Sequence, residues 1–265
     1  MRIDVIGVGF DDVTAMEAIS FACNAIGYVK EDHIKEEKEH SFDTKSMDSL
    51  PHFEQCYVVT PNPEIVWLAR QNEELMSAIS NAGLVLADGV GITIAARILG
   101  TPIHGGRVPG IDFAQSLLYE MSQYGGSVYL LGAKPGVAIK AGKQLEEKFP
   151  GLVIAGTADG YFTDDLPIIE NINEANPDVL FVCLGSPKQE LWMANNLSLI
   201  NAKLCAGLGG SLDVFAGNVK RAPAIFRKTG FEWFYRLLQD PKRIKRMAKL
   251  PLFLLRVIWK RITGK

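Results

Sequence analysis

Three features of the sequence predict an α/β fold with a Rossmann-like, largely parallel sheet flanked by helices. Short apolar runs with β-propensity alternate with helix-length segments. These runs are apolar throughout, as in strands that are covered on both faces. The strand pattern stops near residue 220, whereas helical patterns continue to the end of the chain. We therefore expect a Rossmann-like domain over residues 1–219 and a helical appendage over residues 220–265.

The elements can be placed along the chain in order. Strands are predicted at residues 3–7, 57–60, 84–87, 127–132, 152–156, 179–185 and 203–207. Helices are predicted at residues 12–27, 63–82, 90–99, 110–124, 135–149, 165–176 and 187–201. Pro63, Pro135 and Pro187 stand at expected first helical positions. The run Ser186-Pro-Lys-Gln189 also fits a capping box.

Residues 30–55 break this alternation with a charged segment. They contain 8 acids, 4 bases and three of the four histidines, His33, His40 and His52. This composition is typical of a solvated insertion. The histidines could bind a metal, but a solvated insertion is the interpretation that the composition favours.

Composition indicates a soluble globular protein with reduced thiols. The chain of 265 residues is 48% hydrophobic and 22% charged, which is ordinary for that class. Its four cysteines form no CxxC pair, which predicts buried thiols in a reducing cytosol. No run reaches the roughly 18 apolar residues of a membrane-spanning helix, and the N-terminus resembles a first strand, not a signal peptide.

Positive charge is concentrated at the C-terminus. Residues 220–265 hold 14 of the 28 lysines and arginines but only 2 of the 30 acids. Apolar residues 250–259 are interleaved with Lys249, Arg256 and Lys260. This pattern predicts docking on an anionic membrane surface. Its aliphatic density favours lipid over nucleic acid as the partner.

The loops that follow the strands predict a nucleotide site. Ligands of parallel α/β sheets bind beyond the carboxyl ends of the strands, and nearly every such loop here holds glycine and a polar group. Glycines let backbone N–H groups approach a phosphate, and helix N-termini favour negative charge. A nucleotide diphosphate fits this edge of the sheet. The chain lacks the dinucleotide fingerprint and the P-loop, which weakens NAD(P) and ATPase interpretations.

Asp88 is the candidate catalytic base. It follows the apolar run 84–87 and precedes Gly89 and Gly91, which leave room for a substrate. A carboxylate in this position can accept the proton of an attacking hydroxyl. Alternatively, Asp88 caps the next helix.

Further candidates surround the same edge. Thr60 and Asn62 supply neutral hydrogen-bonding groups, although Asn62 could instead cap a helix. Arg107 could bind a phosphate, or it could be a surface arginine without a ligand. Gly132 is the last residue of the fourth predicted strand, and Gly185 is the last residue of the sixth.

Three other side chains could bind the nucleotide or sugar. Gln189 either completes a helix cap or donates to a sugar or phosphate. Asp213 could accept hydrogen bonds from ribose hydroxyls or a base edge. Tyr161 could stack on a base or belong to the core.

No metal site is predicted, so cations must stabilise a departing diphosphate. The adjacent acids Asp11-Asp12 and Asp164-Asp165 are better interpreted as helix N-terminal acids than as metal ligands. Arg236, Arg243 and Arg246 are spaced to share one face of a continuous helix, although Pro241 interrupts it.

Together these motifs resemble the WecG/TagA/CpsF family (glycosyltransferase family 26). The matching pieces are Thr60-Pro-Asn62, Asp88-Gly-x-Gly91, Arg107-Val-x-Gly110, Leu131-Gly132, Gly160-Tyr-Phe162, Gly185-x-Pro-Lys-Gln-Glu190, Gly207-x-Gly-Gly-x-x-Asp213, Arg221-Ala-Pro223 and Glu232-Trp-x-Tyr-Arg236. They keep the family order from residue 57 to about residue 250, with weaker similarity over residues 1–28.

The resemblance implies an inverting, metal-independent bacterial glycosyltransferase without a cofactor. It would act at the cytoplasmic face of the membrane, as a peripheral protein, on a UDP-sugar and a polyprenyl-diphosphate-GlcNAc. Similarity to the TagA-like members implies N-acetylmannosamine transfer in wall teichoic acid or related polysaccharide synthesis. Asp88 then matches the general base and Thr60 a positioning group. Gln189 and Asp213 match nucleotide-sugar contacts, and the three appendage arginines match groups that close over the diphosphate.

Two departures and several alternatives accompany this resemblance. Gly106 stands where a glutamate commonly precedes the Arg-Val pair, and the 30–55 insertion is long for the family. UDP-N-acetylmannosaminuronic acid remains an alternative donor, and an NAD(P)-dependent oxidoreductase or a UDP-sugar-sensing regulator remain alternative classes. The sequence leaves the oligomeric state open, including a homo-oligomer.

Overall fold

A computed structural model describes residues 2–28, 55–223, 225–226, 232–239 and 249–263. Its strands are β1 (Arg2–Val5), β2 (Val8–Asp11), β3 (Cys56–Val59), β4 (Leu84–Val85), β5 (Ser127–Gly132), β6 (Val153–Ala158), β7 (Val179–Cys183) and β8 (Leu204–Gly207). Strands β3 to β8 form one parallel sheet in the order β4-β3-β8-β7-β5-β6. The predicted α/β fold with a parallel sheet is confirmed.

Helices cover both faces of this sheet. They are α1 (Ala15–Ala25), α2 (Pro63–Ala69), α3 (Glu73–Ser80), α4 (Val90–Leu99), α5 (Gly110–Ser122), α6 (Val137–Lys148), α7 (Leu166–Ala175), α8 (Lys188–Asn196), α9 (Ser211–Phe215), α10 (Glu232–Gln239) and α11 (Lys249–Thr263). The 30–55 insertion lies almost wholly outside the described residues.

The N-terminus differs from its prediction. The expected single strand at residues 3–7 is the first arm of an antiparallel hairpin, in which β1 pairs with β2 apart from the main sheet. The turn between the arms places Ile6 and Gly7 at φ values of 47° and 103°. Positive φ at both central residues is the requirement of a tight hairpin turn, whose twist matches the flanking strands.

The acids Asp11 and Asp12 are not helix N-terminal residues, contrary to the prediction. Asp11 ends β2, receives a hydrogen bond from Arg2 and accepts the backbone N–H of Val85 at 2.8 Å. Helix α1 is capped instead by Thr14, in a capping box with Glu17. For the second pair the prediction holds, because Asp165 is the N-cap residue of α7 and Asp164 accepts the N–H of Leu166.

Three helix boundaries also differ. The predicted helix over residues 63–82 is broken between α2 and α3, because Asn72 begins a second helix by accepting the N–H of Leu75. Helix α6 begins two residues after Pro135, behind Gly136 in the left-handed region. The expected capping box at Ser186 is absent, because Pro187 is the cap residue of α8 and no side chain caps that helix.

The crossovers leave open crevices at the carboxyl edge of the sheet. Helices α6 and α9, which follow β5 and β8, pack into the core on one face. Helices α2 and α8, which follow β3 and β7, pack into the core on the other. From β3 through β8 and β7 to β5, neighbouring strands therefore send the chain to opposite faces, which is the arrangement that forms ligand crevices in such sheets. Strands β4 and β3 differ, because α4 and α2 pack on the same face.

Helix α11 is docked on the body, against α4 and α2. Phe253 and Val257 are fully buried, Lys260 pairs with Asp4, and Arg261 donates to the carbonyl of Leu99 at 3.3 Å. The predicted helical character of the appendage is confirmed for α10 and α11. Within the described ranges, no helix has the length and apolarity needed to cross a bilayer.

Candidate functional site

Asp88 lies in the loop between β4 and α4, next to the loop that follows β3. The backbone N–H of Asp88 donates to the carbonyl of Pro61 at 3.3 Å, and Asp88 is half-buried. Gly89 adopts φ 105°, and a Cβ there would lie 3.7 Å from Pro63. The structure therefore brings the Asp88 loop against residues 60–63, as expected from the carboxyl ends of neighbouring parallel strands.

Thr60 is buried between three segments of the chain. Its hydroxyl donates to the carbonyl of Gly207 at the end of β8, over 3.1 Å. A Cβ at Gly110, the first residue of α5, would lie 3.0 Å from the Thr60 hydroxyl oxygen. Thr60 thus joins β3, β8 and the start of α5 at the centre of the carboxyl edge.

Asn62 acts as the cap of α2, which was the alternative interpretation. Its side-chain oxygen accepts the N–H groups of Glu64 and Ile65 at 2.9 and 3.1 Å. That oxygen is committed to the helix, so a ligand contact from Asn62 would use its NH2 group. Ligand binding by Asn62 stays a prediction.

Arg107 is half-buried on a loop that runs beside Asp88. The next residue, Val108, donates its N–H to the carbonyl of Ala87 at 3.0 Å. Since Ala87 precedes Asp88, the arginine and the aspartate lie on adjacent chain segments.

The Arg107 loop is held from the other side by an unforeseen contact. Asp12 accepts the N–H of Gly105 at 2.8 Å and lies 3.0 Å from a ring nitrogen of His104. The hydrogen bond from Gly105, together with His104, lowers the pKa of Asp12. No local motif could have predicted a contact across some 90 residues.

Four glycines expose the backbone at the carboxyl edge. Gly136, Gly185 and Gly209 have φ values of 81°, 77° and 54°, which favour glycine. A Cβ at any of these, or at Gly210, would meet no atom of a described residue within 4 Å. Their backbone therefore borders open space, as a phosphate cradle requires. We call these four glycines the glycine rim.

Gly132 has a different reason to be glycine. A Cβ there would lie 2.4 Å from the carbonyl oxygen of Cys183. The residue is buried, and its lack of a side chain lets the end of β5 approach β7. This packing does not bear on whether Gly132 contacts a ligand, so that contact stays a prediction.

Gln189 is buried and supports the glycine rim. Its side-chain oxygen accepts the N–H of Gly209 at 2.9 Å, and its amide nitrogen donates to Glu190 at 2.9 Å. Asp213 lies half-buried in the first turn of α9. After burial itself, Asp213 contributes to raising the pKa of the Cys183 thiol to about 12.

Tyr161 lies outside the core, at the far end of the edge. It is 69% exposed and borders a cavity of about 380 Å³ beyond the end of β6, together with Asp159, Phe162 and Thr157. The Lys188 ammonium makes a cation–π contact beside this cavity, 4.4 Å from the centre of the Phe162 ring. Tyr161 therefore does not belong to the core, and base stacking stays a prediction.

The appendage begins beside this site. Arg221 Nη2 lies 2.5 Å from Asp112 Oδ1 in the first turn of α5, the helix whose first residue approaches Thr60. Arg236 belongs to α10, but its side chain lies outside the described residues, as do Arg243 and Arg246 entirely.

The four cysteines form no disulfide, and the described residues group no metal ligands. Burial is confirmed for Cys23, Cys183 and Cys205, whereas Cys56 is half-buried. Within the part of the chain that the structure describes, no three His, Cys, Asp or Glu side chains cluster. His33, His40 and His52 lie outside that part.

Comparisons with known proteins identify relatives across most of the chain. Residues 38–265 match the model of the glycosyl transferase WecG/TagA/CpsF family. A Bacillus spizizenii N-acetylglucosaminyldiphosphoundecaprenol N-acetyl-beta-D-mannosaminyltransferase is 38% identical over 203 residues, covering 77% of this chain and 79% of its own. A Staphylococcus aureus protein of the same name is 33% identical over 256 residues, covering 97% of this chain and 92% of its own.

Proposed function

Because this chain belongs to the glycosyl transferase WecG/TagA/CpsF family, we propose that it transfers N-acetylmannosamine from UDP-N-acetylmannosamine to GlcNAc-diphospho-undecaprenol. The enzyme class follows from the family, and the sugar and acceptor from the names of its relatives. The product would carry a β-1,4 linkage and serve wall teichoic acid or related cell-surface polysaccharide synthesis. The observation that carries the proposal is the adjacency of Asp88, Thr60 and Arg107 at the open carboxyl edge.

The donor would lie along this edge. Five strand spacings of about 4.8 Å separate β4 from β6, so the edge is roughly 24 Å long. This length suits a row formed by base, ribose, diphosphate, donor sugar and acceptor sugar. The base would lie near the exposed Tyr161 beyond β6 and the diphosphate over the glycine rim, with Asp213 as a further contact to the nucleotide-sugar. The reacting sugars would then meet beside Asp88.

The reaction would be a single displacement at the anomeric carbon of the donor. Asp88 takes the proton from the acceptor 4-hydroxyl as the oxygen bonds to that carbon. The bond from the carbon to the β-phosphate oxygen breaks, and UDP leaves from the opposite face, so an α-linked donor gives a β-linked product. General-base catalysis contributes about 10²- to 10⁴-fold, which leaves much of the acceleration to stabilisation of UDP.

The departing UDP would be stabilised by protein dipoles and cations, without a metal. Backbone N–H groups of Gly136, Gly185 and Gly210 and the first turn of α6 favour negative charge there, whereas that of Gly209 donates to Gln189. Arg107 lies next to Asp88, where it can bind a phosphate. Arg236, Arg243 and Arg246 are proposed to complete the site from the appendage.

Helix α11 would dock the enzyme on anionic lipid at the inner face of the membrane. Leu252, Leu255, Trp259 and Ile262 are 49–76% exposed and recur at helical spacing on one side of the helix. Lys249 and Arg256 lie beside this stripe and supply positive charge, whereas Lys260 pairs with Asp4 of the body. The buried Phe253 and Val257 hold the helix to the body at the same time. An apolar stripe with basic flanks is the form of an interfacial helix.

The test uses a panel of UDP-sugars with a synthetic GlcNAc-diphospholipid, in buffer with EDTA, followed by the product mass. We expect addition of one N-acetylhexosamine, with UDP-N-acetylmannosamine as the preferred donor. A product from UDP-N-acetylmannosaminuronic acid alone would reassign the donor. If no UDP-sugar releases UDP in the presence of acceptor, the chain is not acting as this transferase.

A further inference from the structure

A buried carboxyl group lies beneath the glycine rim. Glu190, in the first turn of α8, is 0% exposed, and its neighbour Gln189 is 2% exposed. Glu190 Oε1 accepts a hydrogen bond from Gln189 Nε2 at 2.9 Å. Its Oε2 makes no hydrogen bond to a described residue, and neither does the buried hydroxyl of Ser186.

Burial favours the neutral form of this carboxyl group. Removal from solvent raises the pKa of Glu190, and the Gln189 amide and the nearby Ser186 hydroxyl only partly offset that rise. A neutral carboxyl group has one oxygen that accepts and one that donates. Gln189 donates to one carboxyl oxygen, which leaves the other oxygen as the donor of the neutral form.

The Gln189 amide is held between Gly209 and Glu190. Gly209 N–H can only donate, so it requires the amide oxygen, and the NH2 group then points to Glu190 Oε1. With the amide reversed, two donors would face each other at Gly209. By accepting from the NH2 group, Glu190 stabilises the orientation in which Gln189 presents its oxygen to the rim.

The fixed amide in turn holds the end of β8. A Cβ at Gly207 would lie 3.1 Å from Gln189 Nε2, so the amide packs directly on that backbone. The carbonyl oxygen of Gly207 accepts a hydrogen bond from the Thr60 hydroxyl. One chain of contacts thus runs from Glu190 through Gln189 to Gly209 on the rim and to Thr60 at the centre of the site.

We propose that Glu190 is a positioning residue of the donor site, which acts through Gln189 to hold residues 207–210 in the conformation that receives the donor diphosphate. Glu190 itself does not contact the substrate. This inference rests on the proposed function, because it assigns the diphosphate to the glycine rim. It predicts that the length and hydrogen-bonding capacity of residue 190 matter, whereas its charge does not.

Two substitutions separate length from charge. Glu190→Gln keeps the length and an acceptor oxygen and removes the ability to ionise. Glu190→Asp keeps the carboxyl group and withdraws it from Gln189 by one methylene. The probe is UDP, titrated calorimetrically against each folded variant, with steady-state constants for donor and acceptor measured alongside. Thermal unfolding reports any change in stability separately.

We expect Glu190→Gln to bind UDP as the wild type does. Glu190→Asp should bind it about fivefold more weakly or worse, as loss of one buried hydrogen bond implies. The loss should appear in the donor KM and leave the acceptor KM unchanged. A purely structural role would lower the unfolding temperature of Glu190→Asp without changing UDP affinity.

Other outcomes overturn the inference. If Glu190→Gln loses as much UDP affinity as Glu190→Asp or more, charge is required and a neutral positioning role is wrong. If both variants bind UDP like the wild type, residue 190 positions nothing. Failure of the proposed function is distinguishable, because the wild-type protein would then itself bind no UDP.

Discussion

Helix α11 has two apolar faces with different roles, and single substitutions should separate them. Trp259 is 57% exposed on the outer face. A tryptophan side chain presents up to about 250 Å² of surface, so roughly 140 Å² is free to enter a lipid interface. Complete burial of that area would contribute about 3.5 kcal/mol. We expect Trp259→Ala to weaken binding to anionic vesicles by roughly 10- to 100-fold, since insertion at an interface is partial.

Phe253→Ala provides the matched control on the inner face. Phe253 is fully buried between α11 and the body, and removal of a buried phenylalanine costs about 3 to 5 kcal/mol. This variant should unfold at a markedly lower temperature. Trp259→Ala should keep the wild-type unfolding temperature, because surface truncations change stability by only about 0.5 kcal/mol.

The assay is co-sedimentation with vesicles that contain anionic lipid, together with thermal unfolding of each variant in solution. Deletion of the whole helix is less informative, since it would expose the pocket that Phe253 fills. If Trp259→Ala binds vesicles as tightly as the wild-type protein, the outer face is not the lipid-binding surface. If it instead unfolds as readily as Phe253→Ala, Trp259 belongs to the core and the two-face account is wrong.

Two further predictions concern the fold and the rim. Although burial raises the pKa of Asp178, hydrogen bonds from Ser127, Lys203 and Tyr28 leave it below its usual range. Asp178→Ala should therefore lower the free energy of unfolding by about 2 kcal/mol at pH 7. Denaturant titrations should show that the stability difference between wild type and variant shrinks below about pH 4, because the carboxylate of the folded protein becomes protonated. Gly210→Ala should leave stability unchanged, since φ is −83° and the Cβ meets open space, yet weaken UDP binding measured by calorimetry. Retained UDP affinity in Gly210→Ala would place the diphosphate elsewhere.

Much of the fold was predictable from the sequence because the signals are local. Apolar runs that are covered on both faces identify buried parallel strands, and β5 and α4 lie at their predicted bounds. The hairpin of β1 and β2 was missed, because a run as short as residues 3–7 does not specify its pairing partner. The break between α2 and α3 depends on the cap at Asn72, whose residue type also occurs inside helices.

The site was predictable only where the sheet itself sets positions. Asp88 and Thr60 follow neighbouring strands, so parallel pairing brings their loops together. Contacts such as Asp12 with Gly105 and Arg221 with Asp112 join distant segments and leave no periodic signal. Sequence spacing likewise showed that α11 is amphipathic but not that Phe253 would be covered by the body.

Some roles were hidden because a residue type serves several purposes. For Gln189 the sequence predicts a cap or a ligand contact; the structure shows its amide bonded to Glu190 and Gly209, and the ligand contact stays a prediction. Gly132 was grouped with the ligand-binding glycines, although the close approach of Cys183 already requires glycine there. Only the packed structure separates glycines that face open space from those that face backbone.

The central claim is that the Asp88 carboxylate accepts the acceptor proton beside a UDP site, and one paired measurement tests it most directly. Transfer activity and UDP affinity are measured on Asp88→Asn, which keeps the size of the side chain and removes its basicity. The account predicts that turnover falls by at least about 10²-fold while UDP affinity is unchanged. Undiminished turnover in Asp88→Asn would contradict it.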